Sequence, residues 1–296
     1  MSAHEQAPAF RSPAGGCDAH FHVFGRPEAY PYGDAKLRYQ PPVATLDDYL
    51  EHSSVFGLEK FVFVQPSAYG RDNRCMLDAM KELRRRWGDA KYRSSVRGIV
   101  DIDDDCADEV LADMHALGVR GVRVNVSPTR SPEPGFSSTM IPWLERLDER
   151  LSELGWVLDF LTPGWLTQEL IPTLRRLRVT CSLAHMGMFL AKDGPQQPGF
   201  RQLIDLVNDG DRRCWIKLTG AYRMGTGPDY RDSIPMAQAV LESAPDRVIW
   251  GSDWPHLSFA DKVTGNQLWS LLGEYAPDEA RRRRILVDNP GTLFDF

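Results

Sequence analysis

"KFVFVQPS", Lys60 to Ser67, decides the fold. Its apolar residues run from Phe61 to Val64 without the polar alternation of a strand that has one wet face, and the run stops at Gln65, Pro66 and Ser67. A strand of this kind is buried on both sides, which is the mark of a parallel sheet covered by helices. Working outward, the same pattern returns in "CDAHFHVFG" (17–25), "SSVRGIVDID" (94–103), "GVRGVRVNV" (118–126), "WVLDFLT" (156–162), "VTCSLAHMG" (179–187), "CWIKLTGAYR" (214–223) and "RVIWGSDWPH" (247–256).

Amphipathic stretches separate these runs. "TLDDYLEHSSVFG" (45–57) opens with Thr45 and carries Asp48 three places on, a capping-box start, and stops at Gly57. A second helix is expected from about Asn73 to Trp87, and a third from near Asp103. Eight strand–helix units in 296 residues predict an α/β fold, a distorted (β/α)8 TIM barrel forming one domain over 1–296, with a doubly wound open sheet as the rival. The segment 25–44, rich in Pro, Tyr and Gly, reads as an active-site loop.

Composition narrows the function. With 42% hydrophobic and 26% charged residues the chain reads as an ordinary globular protein. Its 35 basic and 41 acidic residues leave a formal charge of −6, which disfavours nucleic acid as a partner. The runs "RRRW" from Arg84 and "RRRR" from Arg281 read as solvated helix ends, where cations suit the dipole. Five cysteines without paired spacing suggest reduced thiols in a cytoplasmic protein, and nothing reads as a signal peptide or membrane span. No nucleotide-binding glycine motif occurs, so the expected partner is a small-molecule substrate.

In a barrel the chemistry sits at the C-terminal strand ends. There the sequence supplies His20 and His22, Gln65 and Ser67, Arg123 and Asn125, His185, Tyr222 and Arg223, then Asp253 and His256. On a regular strand Asp18, His20 and His22 share one face, opposite Ala19, Phe21 and Val23. Two imidazoles and a carboxylate on one face are hard to place in an apolar core, since an unpaired buried polar group costs about 1–3 kcal/mol.

The D-x-H-x-H of the first strand, the histidine of "LAHMG" and the aspartate of "GSDWPH" together resemble the amidohydrolase superfamily. "DNPGTLFDF" (288–296) resembles the end of its amidohydrolase-2 branch. Within that branch, "VFVQPSAYGRDN", "GVRGVRVN", "LAHMG" and "KLTGAYR" most resemble 2-pyrone-4,6-dicarboxylate hydrolases and related lactonases. The resemblance implies a TIM barrel and hydrolytic opening of a carboxylated lactone in aromatic-compound catabolism. It also implies that Asp253 takes a proton from water and returns it to the leaving oxygen, with His20, His22 and His185 as the other catalytic groups. Arg123, Arg223, Ser67, Tyr39, Arg130 and His256 are the expected substrate-binding residues.

Two departures from that pattern stand out. Ala184 and Met188 flank His185 where such relatives often carry Asp and Arg, and strand five offers Phe160 and Leu161 where a polar contact is expected. Strand five also lacks the histidine that mononuclear members use as a ligand, so no metal is expected. The alternative is a hydrolase or decarboxylase with zinc or another divalent ion on His20, His22, Asp253 and His185. A non-catalytic organic-acid binding protein is the distant alternative.

Overall fold

A computed structural model describes residues 7–33, 37, 39–209 and 213–296. Eight strands form one parallel sheet in sequential order: β1 (Cys17–Phe21), β2 (Lys60–Val64), β3 (Val96–Val100), β4 (Val119–Asn125), β5 (Val157–Leu161), β6 (Thr180–Leu183), β7 (Cys214–Leu218) and β8 (Val248–Trp250). The main helix after each strand is α1 (Leu46–Phe56), α2 (Arg74–Trp87), α3 (Asp108–Ala116), α4 (Phe136–Leu154), α5 (Gly164–Arg176), α6 (Pro198–Val207), α7 (Ile234–Ser243) and α8 (Gly265–Tyr275). This is the (β/α)8 architecture, with short turns and helices inserted at the loops.

Local chemistry fixes the element ends. The Thr45–Asp48 capping box is formed at α1, and Gly57 ends that helix in the left-handed region at φ 76°. α3 begins at Asp108, later than expected from near Asp103. Asp103 accepts a hydrogen bond from the Asp104 N–H and pairs with Arg71, which holds this segment outside the helix.

The barrel is distorted where it closes. Among the described residues no β8–β1 ladder forms; instead the Asp253 N–H donates to the His20 carbonyl at 2.8 Å, and the His22 N–H donates to the Trp254 carbonyl at 2.9 Å. The Asp18 carboxylate ties the same seam, accepting from the Ser252 N–H at 2.9 Å and the Ser252 hydroxyl at 2.6 Å.

A register shift between Asp18 and Phe21 corrects the expected face assignment of β1. Asp18 pairs with Phe61 but Phe21 with Phe63, so three steps on β1 match two on β2. The extra residue is a bulge, and it resets the alternation. Asp18 and Phe21 therefore both turn to Tyr49 of α1, Asp18 by a 3.0 Å hydrogen bond and Phe21 by ring stacking at 3.5 Å. His20 and His22 point instead toward Asp253.

At the other end the barrel is plugged. Leu293 and Phe294 join Cys17, Val62, Ile99 and Trp215 in one buried cluster, and Arg97 of β3 donates to the Phe294 carbonyl at 2.8 Å. The apolar plug and the polar seam thus occupy opposite strand ends, leaving one end for chemistry. Among the described residues no helix is long and apolar enough to cross a membrane.

Candidate active site

Asp253 is the centre of the site and is buried. Its two oxygens have different surroundings. Oδ2 accepts from the Tyr222 hydroxyl at 2.5 Å and from Arg223 Nε at 2.8 Å. Oδ1 lies 3.5 Å from His20 Nε2 and 3.5 Å from His22 Nε2 and has no hydrogen-bond partner. One oxygen is clamped and the other is left for reaction. His185 Nε2 stands 3.9 Å from Oδ2.

The backbone needed to aim these groups is unusual. His185 (φ 52°), Asp253 (φ 56°) and His256 (φ 61°) all occupy the left-handed region, which side-chain-bearing residues rarely adopt. Strain of this kind gathers at functional sites. Two glycines make room for the imidazoles. A Cβ at Gly251 would stand 2.6 Å from His20 Cβ, and one at Gly220 would stand 2.5 Å from His185 Nδ1.

Burial sets the protonation states. It holds His20 well below its ordinary 6.5, lowers His22, and takes His185 down to about 3. Burial pushes the Asp253 carboxyl up, but the opposing groups, Arg223 foremost, hold it well below the usual carboxylate range. At neutral pH the site is an ionised carboxylate among neutral imidazoles.

Hydrogen bonds behind the rings fix the tautomers. His22 Nδ1 lies 2.8 Å from the Val64 carbonyl, which only accepts, so Nδ1 carries the proton and Nε2 offers a lone pair. His20 Nδ1 lies 3.4 Å from Lys217 Nζ. Burial lowers the pKa of the Lys217 ammonium and the Asp159 carboxylate 2.8 Å away opposes that shift; so paired, the ammonium only donates, this nitrogen accepts and Nε2–H faces Asp253. Lys217 is fully buried and also reaches Asp159 Oδ1 at 2.8 Å and the Ala19 carbonyl at 3.3 Å.

His20 Nε2, His22 Nε2 and Asp253 Oδ1 are the group that could hold a metal ion among the described residues, lying within 4.8 Å of one another. Their spacing suits an ion, but their hydrogen bonding does not. Ligating imidazoles donate their second N–H to a carbonyl or carboxylate, as His22 does. His20 has an ammonium there, and its protonated Nε2 has no lone pair to give. Arg223 adds a second cation 2.8 Å from the carboxylate, and His185 lies outside the three-atom group.

The remaining candidates fall into three places. Arg123 is buried, donates to the Gln65 carbonyl at 2.5 Å and has an unpaired Nε; nearby, the Tyr39 hydroxyl meets Ser67 Oγ at 3.1 Å. His256 packs edge-on to Tyr222, with ring centroids 5.9 Å apart and an unpaired Nε2. Arg130 pairs with Glu133 at 2.7 Å and lies over the Phe136 ring at 3.9 Å, and its carbonyl accepts from Trp165 Nε1 at 2.9 Å, contacts that hold it away from Asp253. The Gln65 amide nitrogen donates to the Gly70 and Asp72 carbonyls, while its buried Oε1 has no hydrogen-bond partner among the described residues. Of the loop 25–44, residues 34–36 and 38 lie outside the described residues.

Sequence reasoning overlooked Lys217, Asp159 and the Tyr222 hydroxyl's bond to Asp253. Strand five does offer a polar group, Asp159, one residue before Phe160 and buried inside the barrel. Its signal was a carboxylate in an otherwise apolar strand, matched by a lysine in "CWIKL".

A model of the amidohydrolase family matches residues 17–296. The 4-sulfomuconolactone hydrolase of Hydrogenophaga intermedia is 35% identical, the alignment covering 96% of this chain and 90% of that one. The 2-pyrone-4,6-dicarboxylate hydrolase of Comamonas testosteroni is 29% identical, over 99% and 94%. A crystal structure from Pseudomonas putida, described as a candidate 2-pyrone-4,6-dicarboxylic acid hydrolase, superposes with a TM-score of 0.80 at 30% identity, covering 95% of this chain and 97% of that one.

Proposed function

The chain belongs to the amidohydrolase family, and from that premise we propose that it is a hydrolase that opens an anionic lactone without a metal ion. The carrying observation is the unpaired Asp253 Oδ1 between the two Nε2 atoms of His20 and His22. A water there donates one proton to Oδ1 and the other to the His22 lone pair, which aims its oxygen at the lactone carbonyl. Attack transfers the first proton to Asp253. The oxyanion then accepts from His20 Nε2–H, a donor held in place before the charge forms. Collapse of the tetrahedral intermediate breaks the ring C–O bond, and Asp253 returns its proton to the leaving oxygen. The product is a ring-opened acid.

The relatives support an anionic substrate: one is named for a sulfonated lactone and another for a dicarboxylate. Buried Arg123, with its Nε unpaired, is the principal anion group, assisted by Ser67 and Tyr39. Arg223 serves Asp253 through Nε and keeps its Nη groups for substrate. His256, beside Tyr222, borders the same space. Arg130 joins the substrate only by leaving Glu133. Met188 in place of an arginine favours a substrate with fewer charges than a pyrone dicarboxylate. The five free thiols accord with a cytoplasmic setting.

The test is steady-state hydrolysis of 4-sulfomuconolactone, 2-pyrone-4,6-dicarboxylate and neutral γ-butyrolactone in chelator-treated buffer. Turnover of an anionic lactone well above the neutral one supports the proposal. Preference for the neutral lactone, or no hydrolysis of any, overturns it.

A further inference from the structure

Inside the barrel, beneath the reacting groups, lies a charge pair that the proposed hydrolytic steps do not use. Lys217 of β7 and Asp159 of β5 are both fully buried and 2.8 Å apart, and Asp159 Oδ1 also accepts from Ser182 of β6 at 2.5 Å. Removing two charges from water costs several kcal/mol per ion, and well-packed apolar side chains in such places are often neutral or stabilising. A pair of this kind gives little stability by itself, and its geometry indicates another use.

The three protons of the Lys217 ammonium have three acceptors: the Asp159 carboxylate, the Ala19 carbonyl and His20 Nδ1. The first two anchor the ammonium to β5 and to the backbone of β1. The third reaches the ring whose opposite nitrogen faces Asp253 Oδ1 at 3.5 Å. Neutral imidazole carries one proton, so whatever occupies Nδ1 decides what Nε2 presents.

We propose that Lys217, held by Asp159, is a positioning residue that keeps His20 Nδ1 unprotonated, so that Nε2–H is presented to the substrate oxyanion and the His20–His22–Asp253 group is closed to metal. The two histidines, alike in sequence, thereby take opposite parts. Val64 behind His22 makes its Nε2 an acceptor for water, and Lys217 behind His20 makes its Nε2 a donor. The hydrolytic part of this assignment rests on the lactonase reading; the tautomer part does not.

The experiment reads the imidazole nitrogens by long-range proton–nitrogen NMR on ¹⁵N-histidine-labelled, substrate-free protein, with His20→Gln identifying the resonances. The expected wild-type result is an unprotonated His20 Nδ1 and a protonated Nε2. Lys217→Met/Asp159→Asn removes the pair's two charges together, with Asp253 remaining as a carboxylate for buried Arg123, and Nδ1 is then expected to gain a proton. In that variant kcat falls about 10- to 100-fold while KM stays within about threefold, the signature of a contact made mainly in the transition state. A protonated Nδ1 in the wild type overturns the proposal whether or not the variant folds. So does a folded variant with unchanged nitrogen shifts and unchanged kcat. If the shifts are as expected but no lactone is hydrolysed, the functional reading fails and the tautomer assignment stands.

Discussion

Asp253 shows how one carboxylate can be clamped at one oxygen and left open at the other. Tyr222 and Arg223 occupy Oδ2, and Oδ1 remains without a partner. Asp253→Asn keeps the shape and removes the proton acceptor, so kcat is expected to fall on the order of 10²–10⁴-fold with binding retained; steady-state kinetics with a binding isotherm checks this. The two arginines are expected to separate in the same assay. Arg123→Met raises KM for an anionic lactone much more than for a neutral one, because the buried guanidinium gives one N–H to the Gln65 carbonyl and keeps Nε unpaired. Arg223→Met lowers kcat for both lactones, because Nε holds the base. Equal KM effects of Arg123→Met on both lactones would make that residue structural. The residues that meet at Asp253 were legible because His20 and His22 close the first strand while His185 and Asp253 follow the sixth and eighth. Lys217 and Asp159 were not, because a charge within an apolar strand does not announce its partner on another strand.

At the scale of elements, the strands and the first helix follow from apolar runs and capping residues. The bulge in β1 does not. It is a property of the pairing between β1 and β2, and regular alternation put Asp18 on the histidines' face where the structure turns it to Tyr49 and Ser252. The left-handed turns at His185 and Asp253 are likewise set by tertiary packing, which overrides local preference. Gly251 joins strand to site most tightly. A methyl at this position meets both the Cβ and the backbone N of His20 at 2.6 Å, and the backbone cannot yield as a flexible side-chain end can. Gly251→Ala is therefore expected to lower kcat by displacing His20, and to lower the thermal midpoint as well; kinetics and a melting curve together check it. A variant with wild-type kcat and midpoint would mean that the seam is more compliant than this packing allows.

The whole molecule carries its site chemistry as a pH liability. Burial lowers His185 to about 3, and lowers His52 and His256 to about 4, each against an ordinary 6.5. Between those values the unfolded chain binds protons that the folded chain does not, so stability rises with pH and is lost as pH falls from about 6.5 toward 4. Asp253, depressed in the fold, loses its contribution lower still, below the unfolded carboxylate value. Asp18, raised by burial to about 6, and Asp101, also raised by burial, act with the opposite sign but are outnumbered by the buried imidazoles. Denaturant midpoints measured from pH 7 to pH 4 are expected to fall steadily; a rising midpoint would contradict the buried neutral imidazoles. The barrel itself was legible from eight apolar runs, whereas its seam was not, since closure runs through Asp253, Trp254 and Asp18 rather than a β8–β1 ladder.

In the proposed reaction an ionised Asp253, flanked by one donating and one accepting imidazole, activates water without a metal. It is tested most directly by hydrolysis of 4-sulfomuconolactone by the wild-type protein after exhaustive chelation, with elemental analysis of the same sample. Undiminished turnover is expected with far less than one metal ion per chain. Activity lost on chelation and restored by one tightly bound zinc per chain would contradict it.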